Sequence, residues 1–160
     1  MGDRPIAIVD GRRIYDNAPT TVFILACNAA GQILLIRRAT EPGYGLLGLP
    51  GGYQMRGETW QEAGSRELFE ETGCVIDPSQ LELISIKTDI YQNNLIIARS
   101  KSALYPTLSD DLESLEVIFT CDIGSRNQWA HQDLFDAAYV FTYKLKYHFP
   151  SNCTTETRDC

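Results

Sequence analysis

Residues 59–74 read Thr-Trp-Gln-Glu-Ala-Gly-Ser-Arg-Glu-Leu-Phe-Glu-Glu-Thr-Gly-Cys, and how this stretch is read decides the rest of the chain. Thr59 followed three residues later by Glu62 has capping-box spacing, which predicts a helix starting there. Trp60, Gly64 and Leu68 recur at i, i+4 and i+8, a stripe that faces a core. Gly73 suits the left-handed position that ends a helix. On that helix Glu67, Glu70 and Glu71 stand at i, i+3 and i+4, so their carboxylates share one face, about 5–6 Å apart at Cβ. Like charges this close raise one another's pKa unless a cation intervenes. One reading is a solvated acidic face. The other is a seat for a hard divalent cation, whose preferred ligands are oxygens.

The residues upstream decide between the two. Leu49-Pro50-Gly51-Gly52 leads toward the helix, Glu58 sits just before it, and Arg66 adjoins the first of the three carboxylates. Gly52, five residues, Glu58, seven residues, then Arg66-Glu67-Leu68-Phe69-Glu70-Glu71-Thr72-Gly73-Cys74 resembles the Nudix box of the Nudix hydrolases. That pattern is G-x5-E-x7-R-E-U-x-E-E-x-G-U, with U a bulky aliphatic residue. All seven fixed residues are in register. At an average usage near ~7% per residue type, a chance match is on the order of 10⁻⁸ per starting position. Cys74 departs from the final U but is still apolar.

The resemblance implies a fold and an activity. The fold expected is the α+β Nudix architecture, an α-β-α sandwich with a mixed β-sheet between helices. The activity is hydrolysis of the diphosphate link in a nucleoside diphosphate joined to another group, by attack of water on phosphorus. Glu67, Glu70 and Glu71, with Glu58 at the edge of the cluster, are the expected ligands of Mg²⁺, with Mn²⁺ as the alternative ion. Arg66 cannot ligate a metal, so its expected task is to orient a glutamate by a forked salt bridge. Gly51 and Gly52 let the loop backbone approach the helix and the substrate. The general base is either a box glutamate or one on a later loop. Glu113 and Glu116 lie in the run Asp110 to Glu116, which reads either as that loop or as a solvated segment; Glu116 is carried forward as the candidate. Arg37 and Arg38 end a strand aimed at the glycine loop and are candidates for phosphate contact. Tyr91 is the leading aromatic for stacking on a base, with Tyr44, Tyr53 and Trp129 behind it.

Outside the box the subgroup marks are sparse. The NADH-pyrophosphatase signature and the coenzyme A motif are absent. Thr88-Asp89-Ile90 stands where a proline would suggest ADP-ribose. Tyr91 falls 17 residues after Cys74, near the tyrosine of dinucleoside polyphosphate hydrolases. Two other readings stay open: a nucleoside triphosphate pyrophosphohydrolase that sanitises nucleotides, and a Nudix-like sensor that binds without cleaving. The complete glutamate and arginine set disfavours the sensor, since binding alone does not require it.

The remainder fits one mixed α/β domain over residues 1–149, with a hairpin at about 5–16 and a polar tail at 150–160. Asp10-Gly11 is a favoured two-residue turn. Thr21 to Cys27 and Ile33 to Ile36 are apolar runs that read as a second hairpin. Leu81 to Ile86, Asn94 to Arg99 and Val117 to Cys121 are further strands, Gln132 to Ala138 is a helix, and Tyr139 to Tyr147 fits either. The chain has 160 residues and a net charge of −7. That charge speaks against nucleic acid as a partner, though not against a phosphorylated substrate that arrives with metal. The five cysteines lack metal-site or disulfide-framework spacing, so Cys27, Cys74 and Cys121 are expected to pack as small apolar residues. Without a signal segment or a span of ~20 apolar residues, the expected location is cytoplasmic, with no membrane partner. The two N-terminal strands are candidates for pairing in a homodimer.

Overall fold

Both apolar runs become central strands, but of different sheets. The computed structural model describes residues 4–107 and 111–148. Its strands are β1 (Ala7–Val9), β2 (Arg12–Ile14), β3 (Thr20–Leu25), β4 (Ile33–Arg37), β5 (Leu47–Gly48), β6 (Gly51–Tyr53), β7 (Leu81–Thr88), β8 (Asn94–Ser100) and β9 (Glu116–Thr120). The helices are α1 (Trp60–Thr72) and α2 (Gln132–His148). Beside the small β1–β2 hairpin there is a four-stranded mixed sheet in the order β6-β3-β8-β7 and a three-stranded antiparallel sheet in the order β5-β4-β9. The tail expected at 150–160, with Cys153 and Cys160, lies outside the described residues, as does Asp110.

The second hairpin read from the sequence is therefore corrected. Among the described residues, backbone pairing between these two runs is confined to their base, through the Cys27–Ile33 bridge, with Asn28 N–H donating to Gln32 O at 3.0 Å and Leu34 N–H to Ala26 O at 2.9 Å. Beyond it β3 pairs parallel with β8 and antiparallel with β6, while β4 pairs with β5 and β9. The reason lies in their composition. Both strands are apolar on both faces, and strands of that kind need cover on both sides. Val22, Ile24, Ala26 and Leu34 pack with Ala63 and Leu68 of α1. Phe23, Leu25, Ile33 and Leu35 face the opposite way and pack with Leu134 and Ala138 of α2. Strand alternation thus sends successive residues of one run to different helices, and the expected α-β-α layering follows.

The ambiguous stretch after Ala138 continues α2 as one helix. Leu134, Ala138 and Phe141 recur at i, i+4 and i+7 and all join the second core cluster, so burial overrides the β-tendency of the intervening aromatics. The first hairpin forms as expected: Asp10 (φ 49°) and Gly11 (φ 75°) both take the positive φ that a type I′ turn needs. Cys74 is buried and Cys27 half-buried, both free, and burial pushes both thiols up. Cys121 differs from expectation in being disulfide-bonded. Among the described residues no helix is long and apolar enough to cross a membrane.

Candidate active site

The position of the acidic face is set by how α1 begins and ends. Glu62 N–H donates to Thr59 Oγ1 at 3.2 Å and Thr59 N–H donates back to Glu62 Oε2 at 2.7 Å, the reciprocal box read from the sequence. At the other end Gly73 adopts φ 70° and donates its N–H to Phe69 O at 2.8 Å. With both ends fixed, the carboxylates of Glu67 and Glu71 come to rest against β6. A Cβ on Gly52 would stand 2.5 Å from Glu67 Oε2, so only glycine permits that approach. Next to it, Gly51 N–H donates to Glu71 Oε2 at 2.7 Å.

Arg66 does more than orient one glutamate. Its Nε and Nη2 fork onto Glu58 at 3.1 and 2.7 Å, and its Nη1 donates to Glu67 Oε1 and Glu70 Oε2, each at 2.8 Å. Nη2 also donates to Tyr53 O at 3.0 Å. One guanidinium thus holds three carboxylates in fixed geometry, and those partners keep its own pKa raised. Glu58 in turn is held below the ordinary carboxylate value by Arg66. Glu67 is raised, because burial outweighs Arg66. Glu71 is pushed up to about 8, first by burial; the Gly51 N–H and Arg38 offset this only in part, while Glu67 and Glu113 add to it. The box therefore gathers carboxyl groups that Arg66 compensates on one side only, while burial on the other side makes Glu71 hold its proton up to about pH 8.

Whether these residues suit a metal ion can be judged from their oxygens. Among the described residues, no three His, Cys, Asp or Glu side chains stand ready as a ligand set, since Arg66 draws Glu58, Glu67 and Glu70 around itself. Yet Glu67, Glu70 and Glu71 each have one carboxylate oxygen hydrogen-bonded, to Arg66 or to Gly51 N–H. The second oxygen of each is unclaimed among the described residues. An all-oxygen donor set whose ionisation burial opposes in the absence of a cation fits a hard divalent ion.

Glu67 and Glu71 form part of the wall of a cavity of about 930 Å³. Gly51, Gly52 and Glu113 complete that end, and Phe23, Tyr91, Leu95, His131 and Leu134 line the rest. Arg38 is the one Lys or Arg among the described residues that lines it. The neighbouring candidate, Arg37, faces the other way: its Nε donates to Glu116 Oε2 at 2.9 Å across the β4–β9 pairing, and both side chains are exposed. Glu116, the loop candidate, therefore sits outside the cavity. Glu113 lines it instead, because residues 113–115 are fastened to α1 and β4. Glu113 N–H donates to Glu70 O at 3.0 Å, Ser114 Oγ to Glu71 O at 2.6 Å, and Leu115 N–H to Arg37 O at 2.9 Å.

Among the aromatic candidates, Tyr91 lines the cavity edge-on to His131, with ring centroids 5.8 Å apart at 88°. Tyr53 also lines it. Tyr44 does not, and Trp129 is a core residue whose Nε1 donates to Ile123 O at 2.8 Å. His131 and Thr21 are cavity residues that sequence reasoning did not single out. A lone histidine and one of two adjacent threonines carry no spacing signal.

A cavity bordered by buried carboxylates on a capped helix, one arginine and an aromatic end defines the class as an α-β-α sandwich with an acidic pocket beside a capped helix. The comparisons with known proteins make that class specific. The NUDIX domain model matches residues 17–145, and the chain belongs to that family. It is 50% identical over 44 residues to the ADP-ribose pyrophosphatase of Methanocaldococcus jannaschii, covering 28% of this chain and 26% of that one. It is 45% identical over 51 residues to a putative 8-oxo-dGTP diphosphatase of Bacillus subtilis, covering 32% of each. These matches thus span about a quarter to a third of the relatives' own lengths. Among solved structures, a NUDIX hydrolase from Nitrosomonas europaea shares the fold with a TM-score of 0.64 and 17% identity, over 88% of this chain and 98% of that one.

Proposed function

We propose that this chain is a divalent-metal-dependent pyrophosphohydrolase that cleaves the diphosphate link of a nucleoside diphosphate joined to another group. The observation that carries the reading is the single wall on which Glu67, Glu71 and Glu113 face a cavity containing Arg38. Glu67, Glu70 and Glu71 would hold Mg²⁺ or Mn²⁺ through their unclaimed oxygens, with Glu58 positioned by the same guanidinium. When bound, such an ion neutralises phosphate oxygens and makes an attacking water more acidic.

The remaining work belongs to the chain. Arg66 fixes the carboxylates so that little reorganisation accompanies the reaction, which is what phosphoryl transfer chiefly demands. Arg38 lines the cavity, anchored by Nε to Pro42 O at 3.0 Å, and its charge acts on both Glu71 and His131; it takes a phosphate oxygen of the substrate. Glu113 receives the proton of the attacking water, and Gly51 and Gly52 keep the floor low enough for the diphosphate. The substrate is a small nucleotide.

A nucleoside triphosphate is the second reading, favoured by the likeness to the putative 8-oxo-dGTP diphosphatase. A panel of sugar nucleotides, ADP-ribose, dinucleoside polyphosphates and nucleoside triphosphates, incubated with Mg²⁺ or Mn²⁺ and resolved by chromatography, separates the two. Nucleoside monophosphate released from a diphosphate-linked compound supports the first reading; inorganic pyrophosphate released only from triphosphates supports the second. Binding without turnover of any compound overturns both.

A further inference from the structure

Among the described residues, Thr21 Oγ1 is the one buried side-chain polar atom with no hydrogen-bond partner. Thr21 is only 5% exposed and lines the cavity. Burying a hydroxyl unpaired is unfavourable, and a valine would give the same strand propensity and shape without that loss. The position is fixed by strand alternation. Val22 and Ile24 turn toward α1, whereas Thr21 shares its face with Phe23, on the cavity side. Phe23 is the register partner of Gly51, whose N–H holds Glu71. Thr21 is thus one strand repeat, about 7 Å, from the corner where the carboxylates begin, which is the length scale of one ribose.

The surroundings of Thr21 have a different chemistry from that corner. The rings of Phe23, Tyr91 and His131 stand together, with centroids 6.4 Å apart for Phe23–His131 and 5.8 Å for Tyr91–His131. The two carboxylates near them are already engaged. Asp89 accepts from Tyr91 N–H, Asn93 N–H and Asn93 Nδ2 at 2.8, 2.9 and 3.1 Å, and Asp133 is paired with Lys87 at 2.5 Å. The ring nitrogens of His131 make no hydrogen bond among the described residues, and burial keeps the imidazole toward its neutral form. This compartment offers aromatic faces and hydrogen-bonding groups beside carboxylates that are already paired, which suit a flat heterocycle; Arg38, the cation whose charge acts on His131, is assigned to the phosphates.

We propose that Thr21 reads the nucleobase of the substrate, its hydroxyl hydrogen-bonding the edge of a base held against Phe23, Tyr91 and His131. A hydroxyl both donates and accepts, and a rotation of one staggered well about χ1 carries it into the place the methyl group holds. The backbone of β3 therefore need not move. The inference rests on the pyrophosphohydrolase reading for the end of the cavity that takes the phosphates, and it makes Thr21 a specificity determinant within it.

The test compares the affinities of AMP, GMP, CMP and UMP with that of ribose 5-phosphate, which has no base, by isothermal titration calorimetry. The full-length chain is used as wild type, Thr21→Val and Thr21→Ser, with Thr21→Ala as a second deletion of the hydroxyl should the valine variant not fold. At least one nucleotide is expected to bind wild type more tightly than ribose 5-phosphate. Thr21→Val lowers that affinity about five- to tenfold, Thr21→Ser keeps it within about twofold, and ribose 5-phosphate is unaffected throughout. Thr21→Val also melts no lower than wild type, since it removes an unpaired hydroxyl. Equal nucleotide affinity in wild type and Thr21→Val overturns the inference, as does a loss shared by ribose 5-phosphate or a wild type indifferent to the base. Turnover of diphosphate-linked nucleotides is scored separately. Turnover with unaltered base affinity in Thr21→Val removes only this inference, whereas base-dependent affinity without turnover removes only the catalytic reading.

Discussion

Glu113 and Glu116 are three residues apart in one acidic run, and the fold separates their roles. Glu116 opens β9 directly opposite Arg37, and its carboxylate is spent on an exposed pair with that arginine. Glu113 is turned into the cavity because its own N–H and the neighbouring Ser114 hydroxyl are anchored to the last carbonyls of α1. Glu113 also adds to the raised pKa of both Glu67 and Glu71, so its charge is felt at two of the carboxylates proposed to hold the ion. Glu113→Gln is therefore expected to lower kcat by about 10²-fold or more while KM changes little, the range for loss of a general base. Glu116→Gln removes an exposed ion pair worth roughly 0–1 kcal/mol and should leave kcat within about twofold. Steady-state kinetics of the two variants on whichever diphosphate-linked nucleotide is turned over decides the matter; equal losses would reject the assignment of Glu113. The same contrast separates Arg38 from Arg37. Adjacent strand residues point to opposite faces, and which of the two faces the cavity depends on the phase of β4, set by partners far away in the sequence.

The elements that carry the site differ in how much of them is local. Everything that defines α1 lies within sixteen residues: its cap, its stripe, its acidic face and its terminating glycine. It was accordingly legible in full. Its start rests on Thr59, so Thr59→Ala is expected to cost about 1 kcal/mol and to lower Tm by about 2–4 °C in a chain of this size. Thermal unfolding followed by circular dichroism measures this, and an unchanged Tm would mean that packing alone holds the helix start. The sheets were legible only as strands. The composition of β3 says that it is buried on both faces, but its parallel partner β8 lies more than seventy residues away, and no local signal distinguishes that pairing from a hairpin with β4. Residues 139–147 were undecidable for a related reason. Their helical stripe becomes visible only once the covering sheet is known, and without it the aromatics fit a strand as well. Within the site, the box residues announce themselves by spacing. Thr21 and His131 do not, because what makes either notable is the cavity that distant strands build around it.

For the molecule as a whole, the acidity of the chain is localised rather than spread. Residues 58–71 carry a net −4 and residues 109–122 a net −5, against −7 for the entire sequence, and both segments contribute to the carboxylate wall. Without a cation that wall should make stability depend on pH in a particular direction. Glu71 ionises at about 8 in the folded chain against an ordinary value of 4.5. The folded state holds the proton more tightly, so its contribution is full below 4.5 and is lost as pH rises through 8. His131, depressed from 6.5 by burial, works in the opposite sense, but only below 6.5, where the unfolded imidazole would be charged. The buried thiols of Cys27 and Cys74 are raised from 9.0 and enter only above the window. Among the described residues with shifted pKa values, the carboxylates are the ones that act between pH 6.5 and 8, and one proton over that interval corresponds to about 2 kcal/mol, or a fall in Tm of roughly 4–8 °C. A bound divalent cation favours the ionised carboxylates and stabilises the fold that presents them. With millimolar Mg²⁺ the Tm should therefore rise and its fall between pH 6.5 and 8 should largely disappear. Melting curves at pH 6.5, 7.2 and 8, each in EDTA and in Mg²⁺, test both halves. A metal-free Tm that is flat across the interval argues against the buried charge on Glu71, and identical slopes in EDTA and Mg²⁺ argue against the carboxylate wall as the seat of the ion.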